Sequence, residues 1–328
     1  MVEKNAETEK PEGHDRGESR AGATSPAVPM SPGYRERLVQ FGVDDHLIGT
    51  LTEPAGTSGE VAGAAPCGVI FLNSGVIHRI GPHRVHVKLA RAVAEDGLPS
   101  LRLDLTGLGD SGRTRATDGM LAQVSRDIRS AIDLLQAQTG VQRVVLAGIC
   151  SGAEYGYQYA PDDDRVAGLV MVDGYSFANR RTQLLRWGLR LRTLTWPVLR
   201  KAVLGRLQRL REARAEGHGA VPETPVDYGL PVVTVTDFGE GLAARVRAGC
   251  PSYLVFTGSI LQRYNHASQF EDTMKAAPLA ADDRTALREG VQCDFLPDID
   301  HTMTTLHGQR VYIARVRAWL QKVTKQGG

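Results

Sequence analysis

RVVLAGICSGA, residues 143–153, opens with six residues, Arg143 to Gly148, that form a short apolar run of the kind buried on both faces of a parallel sheet. The run ends in Gly148-Ile149-Cys150-Ser151-Gly152, a G-x-nucleophile-x-G turn whose glycines flank a strained backbone, because larger side chains would collide there. A small-residue helix is predicted to start near Ser151. Its N-terminus offers partial positive charge and free backbone N–H groups, which favour a thiolate at Cys150 and can hold an oxyanion beside it. A buried cysteine is more often a small hydrophobe, but a position directly after a buried strand favours a nucleophile. Ser151 is the rival nucleophile. The glycine spacing nevertheless centres on Cys150 and leaves Ser151 to contribute its backbone N–H as one oxyanion donor.

Outward from this turn, the hydrophobic pattern switches repeatedly between continuous runs and a 3.6-residue period. Tyr34 to Phe41 and His46 to Pro54 read as a starting pair of strands, and Ala55 to Pro66 as a surface loop. Strands follow at Gly68 to Asn73, Ser100 to Leu105 and Val166 to Asp173, with helices over Val85 to Asp96 and Met120 to Gln138. In the second of these helices Leu121, Val124, Ile128, Ile132 and Leu135 share one face. After Asp173 the alternation breaks into a Leu- and Arg-rich helical stretch, residues 174–230, read as an inserted cap. It resumes with a helix near Gly239 to Ala248, a strand at Ser252 to Gly258, a helix at His266 to Ala277, a strand at Val291 to Leu296 and a last helix near Val311 to Val323. This is an α/β pattern, a mostly parallel sheet with helices on both faces, in two core parts, 34–173 and 231–328, around the cap.

The 328 residues, 42% hydrophobic and 23% charged, suit one main domain with an insertion. A formal charge of +2 gives no whole-chain case for a nucleic-acid or membrane partner. Residues 1–33 are rich in Glu, Lys, Gly, Ser and Pro and read as a disordered tail rather than a signal peptide. No apolar run approaches the roughly 18 residues of a membrane-spanning helix, so a cytoplasmic location is expected. Cys67, Cys150, Cys250 and Cys293 are scattered, with no metal-like spacing, and neither a metal nor another cofactor is expected.

In chain order the acid and then the base follow such a nucleophile. His301, just beyond the last strand in LPDIDHTM, is positioned to be the base, whereas His266 and His307 read as background. The usual place for the acid, just after Ser252 to Gly258, carries no carboxylate. Asp173 at the end of the preceding strand can replace it, Asn265 would give a Cys-His-Asn set, and a Cys-His dyad stays open. Asp298 and Asp300 lie too close to His301 in sequence to be preferred.

With these residues in place, the chain over roughly 34–328 resembles the α/β-hydrolase superfamily, and an α/β-hydrolase fold is expected. NSGVIHRIGPHR (73–84), DLTGLGDSG (104–112) and GICSGA (148–153) resemble the cysteine-nucleophile hydrolases found near exosortase systems. The resemblance implies a second oxyanion N–H from the loop after the third strand, where the matching positions are Gly75 and Val76; with Ser151, Val76 is taken as the donor.

His78, Arg79 and Arg84 follow that loop and could bind an anionic part of a substrate. Equally, the arginines could pair with Asp104 or Asp110 and brace adjacent loops. The cap alternates Leu, Val and Trp with arginines from Arg180 to Arg214, which could dock an acidic carrier protein, coenzyme A phosphates or a membrane surface, or could simply be solvated. The leading functional expectation is a hydrolase, thioesterase or acyltransferase acting on a small-molecule or carrier-bound acyl substrate through a Cys150 acyl-enzyme. The alternatives are a hydrolase-like binding protein without turnover and a non-hydrolytic cyclisation on the same scaffold.

Overall fold

The computed structural model describes residues 33–56, 67–115, 118–193 and 228–326, the side chains of 189–193 and 326 excepted. The apolar runs become eight strands: β1 (Tyr34–Phe41), β2 (Leu47–Pro54), β3 (Cys67–Leu72), β4 (Ser100–Asp104), β5 (Arg143–Ile149), β6 (Val166–Val172), β7 (Ser252–Thr257) and β8 (Val291–Leu296). They form one sheet in the order β1-β2-β4-β3-β5-β6-β7-β8. β2 runs antiparallel to β1 and β4, and the remaining pairs are parallel.

The described helices are α1 (Val85–Glu95), α2 (Met120–Thr139), α3 (Ser151–Tyr159), α4 (Arg180–Thr193), α5 (Val235–Arg247), α6 (Gln269–Ala276), α7 (Ala281–Gly290) and α8 (Leu306–Gln326). Strand periodicity of two divides the core between the faces of the sheet. Val69, Val145, Val170 and Val255 pack with α1 and α8, while Ile70, Leu146, Leu169 and Leu254 pack with α2, α3 and α5. Both faces are therefore dry, which is why these strands read as unbroken apolar runs.

Some boundaries move for local reasons. α5 starts at Val235, ahead of the expected Gly239, because Thr234 and Asp237 form a reciprocal capping box inside the β-branched run PVVTV. α7 was not expected; it buries only Ala286 and Leu287, too few to show a period. α8 begins at Leu306 rather than Val311, and α6 spans less than His266 to Ala277. The tail, Gly33 excepted, most of the 55–66 loop and cap residues 194–227 lie outside the described residues. No described helix is long and apolar enough to cross a membrane.

Because β5 to β8 are parallel, their C-terminal ends form one edge. That edge carries Cys150, Asp173, Thr257 and the loop to His301, at the end of an open α/β sheet where ligands bind.

Candidate active site

Cys150 joins β5 to α3 with φ 57° and ψ −125°, a conformation that costs a non-glycine residue free energy and persists only where its surroundings enforce it. Here its N–H donates to Val172 O at 2.8 Å, and its carbonyl accepts the N–H groups of Ala153 at 3.0 Å and Glu154 at 3.2 Å. The flanking glycines are steric requirements. A Cβ at Gly148 would strike the Gly152 backbone, and one at Gly152 would strike Asn73 O. Sequence pattern and backbone thus agree that the elbow residue is Cys150.

His301 lies beside it, with Asp173 on the far side of the ring. His301 Nδ1 lies 2.7 Å from Asp173 Oδ2, and Cys150 is near enough to influence the ring. The Asp173 bond, followed by the influence of Cys150, raises the imidazole to about 10, against the opposing effect of burial. Asp173 is itself at positive φ (48°), its carboxylate fully buried. Thr257 holds it there, donating its N–H to Oδ1 at 2.7 Å and its hydroxyl to Oδ2 at 2.6 Å.

Asn265 does not take this place. Its amide donates to Thr182 O at 3.1 Å and its Oδ1 faces His266, so both polar ends are used away from His301. Asp300 shapes the His301 loop: it accepts from Thr302 and Thr304, and these bonds, Thr302 first, hold its carboxyl down to about 2. Thr257 and Ser259, whose hydroxyl accepts the His301 N–H at 2.7 Å, are contributors the sequence reading missed. Thr257 stands at the end of β7, where the sequence pattern points to a carboxylate and a lone hydroxyl carries no signal of its own.

The loop after β3 closes as a turn in which Ile77 N–H donates to Ser74 O at 3.0 Å. Asn73 spans it, its Nδ2 donating to Ile77 O at 2.8 Å while its Oδ1 accepts Leu105 N–H at 2.8 Å. Gly75 N–H donates to Ser151 Oγ at 2.9 Å. Among the described residues, the N–H groups of Val76 and Ser151 have no protein acceptor.

Arg79 is not a free anion receptor. Its side chain is 10% exposed, and its Nη1 donates to Asp104 Oδ2 at 2.5 Å and Asp110 Oδ2 at 2.7 Å. Its N–H also donates to Asp104 Oδ1 at 2.6 Å, so Arg79 is a brace between the loops after β3 and β4. His78 lies 3.2 Å from Asp110 and shares that cluster. Although His78, Asp104 and Asp110 present ligand-type atoms to one another, the Arg79 guanidinium already occupies the position a cation would fill. Arg84 is exposed at the start of α1 with φ 63° and, among the described residues, makes neither the bond to Asp104 nor that to Asp110. In the described start of α4, Arg180 and Arg181 are exposed, the latter 3.6 Å from Asp272.

The profile of a family described as serine aminopeptidase, S33, matches residues 64–221. No curated protein matches the chain. An esterase of Pyrococcus furiosus superposes with a TM-score of 0.52 at 12% identity, over 92% of this chain and 96% of its own. A hypothetical protein of Pseudomonas aeruginosa superposes with a TM-score of 0.52 at 18% identity, over 90% and 95%. Strand order, the strained elbow at the end of β5 and these superpositions agree: the chain has the α/β-hydrolase fold.

Proposed function

We propose that the chain is an acyl-transfer enzyme in which Cys150 carries the acyl group as a thioester. The observation behind this reading is that a single ring, His301, meets Asp173 at 2.7 Å and lies near enough to the elbow cysteine to be influenced by it. Cys150 Sγ attacks the substrate carbonyl carbon, and the N–H groups of Val76 and Ser151 hold the developing oxyanion. Collapse breaks the bond to the leaving group, which takes the His301 proton. Water or another nucleophile then attacks the acyl-Cys150, passing its proton back to His301 and freeing the thiolate.

Thioesters and activated esters are the favoured substrates, because a thiolate displaces another thiolate without a large uphill step but displaces an alkoxide only at a cost. The matching family is described as a serine aminopeptidase. In this chain the elbow residue is Cys150, and the neighbouring Ser151 hydroxyl is buried and accepts the Gly75 N–H. The binding-protein alternative drew on a missing acid, and the contact of Asp173 with His301 removes that motive.

The test is intact-mass spectrometry after acid quench of the protein with a short-chain acyl thioester, alongside a Cys150→Ala variant. The expected result is one acyl adduct on Cys150 and, in the variant, neither adduct nor turnover. Turnover that survives Cys150→Ala would overturn the proposal.

A further inference from the structure

The geometry points to a role for the Ser151 side chain distinct from that of its N–H: we propose that Ser151 Oγ is a positioning latch that commits the Val76 N–H to the oxyanion. The inference rests on the acyl-transfer reading above and deepens it. The turn after β3 presents three successive N–H groups past Ser74. The third, of Ile77, is consumed by Ser74 O at 3.0 Å. The first, of Gly75, is consumed by Ser151 Oγ at 2.9 Å. The Val76 N–H is left for a ligand, among the described residues without a protein acceptor.

Ser151 directly follows the nucleophile, so its side chain and its N–H belong to the same rigid elbow. The hydroxyl therefore ties one half of the oxyanion site, the β3 turn, to the other half, the α3 N-terminus. Gly75 has φ 55°, a left-handed conformation suited to glycine, and the latch holds the turn in that shape. Without the acceptor, Gly75 N–H and Val76 N–H compete for the same oxygen, and the turn loses its register against Cys150.

The turn has a second support that does not involve Ser151. Asn73 Nδ2 still closes it onto Ile77 O, and Asp104 still holds Arg79 N–H at 2.6 Å. A Ser151→Ala protein is therefore expected to fold with a loosened oxyanion loop.

The deciding experiment compares two reactions of the same sulfur in wild type and Ser151→Ala. Acylation by a thioester builds an oxyanion; alkylation by iodoacetamide displaces iodide at a saturated carbon and builds none. The expected result is an acylation rate lower by roughly 10- to 100-fold, since losing a full oxyanion donor costs about 100- to 1000-fold, with KM, alkylation rate and its pH profile unchanged. An unchanged acylation rate overturns the latch, as does an equal fall in both reactions, which would mean that Ser151 acts on the nucleophile or the fold. If instead Ser151→Ala abolishes turnover while Cys150→Ala retains it, the cysteine reading itself fails, an outcome distinct from failure of the latch.

Discussion

Asp173→Asn changes one atom and tests the relay from carboxylate to sulfur. Three donors converge on the Asp173 carboxylate: Thr257 N–H, Thr257 hydroxyl and His301 Nδ1. An amide must turn its NH2 toward one oxygen site. The Thr257 N–H cannot rotate away, so the amide oxygen goes to it and the NH2 faces the hydroxyl and the imidazole, where it imposes the wrong tautomer on His301. Loss of one charge-assisted hydrogen bond costs about 1.5–3 kcal/mol, or roughly 10- to 100-fold in kcat/KM at about 1.4 kcal/mol per decade.

The pH dependence is more diagnostic. His301 stands at about 10 with Asp173 as the largest cause, so leaving-group protonation persists in wild type until its alkaline limb near 10. In Asp173→Asn that limb moves down toward the ordinary 6.5. Stability carries the same sign. Protonated His301 stabilises the fold fully below about 6.5, and the contribution is lost as pH rises through about 10, so the Tm deficit of the variant shrinks across that window. Thioester turnover and thermal melts from pH 5 to 10.5 would measure both, and an alkaline limb that stays in place would refute the reasoning.

Cys150→Ser keeps the elbow but puts an alkoxide precursor beside an imidazole that Asp173, the largest upward influence on it, still raises, so turnover at pH 7 should fall at least about 100-fold and recover partly toward alkaline pH; a near-wild-type serine variant at pH 7 would contradict this. Arg79→Met takes the guanidinium from the buried Asp104 carboxylate, which keeps Asn73 Nδ2, two backbone N–H groups and His78 at 3.3 Å, and should cost about 1.5–3 kcal/mol in urea unfolding, with KM for a neutral thioester unchanged; a raised KM with intact stability would restore Arg79 as a substrate ligand. Gly148→Ala places a methyl group on the Gly152 backbone and should yield no soluble folded protein, as far-ultraviolet circular dichroism of the expressed material would reveal.

What could be read in advance follows from how locally each feature is encoded. The parallel strands were legible because burial on both faces leaves runs such as VVLAG unbroken, and the elbow because steric exclusion permits only glycine at 148 and 152. α7 was not legible, since two buried residues make no period. Arg79 could not be assigned from sequence: its partner Asp104 is 25 residues away, and only the folded chain decides whether a guanidinium meets that carboxylate or the solvent. The resemblance alone favours Val76 over Gly75 as the donor; the Ser151 hydroxyl, which accepts the Gly75 N–H, gives that choice a physical reason the sequence does not carry.

The displaced acid was the hardest feature to read, and its physics explains why displacement is tolerable. β6 and β7 are adjacent parallel strands, so their ends lie one strand spacing apart, about 4.8 Å. A carboxylate on β6 therefore reaches the imidazole if something on β7 fixes its direction. Thr257, the residue standing where the carboxylate was sought, supplies two donors to that carboxylate. Asp173 and Cys150, at the ends of adjacent strands, both have positive φ, and each is held by backbone hydrogen bonds to a neighbouring strand, Asp173 N–H to Val255 O and Cys150 N–H to Val172 O. Asp173 raises the His301 ring well above an ordinary histidine, which suits it to give a proton to a leaving group more than to take one from a serine hydroxyl.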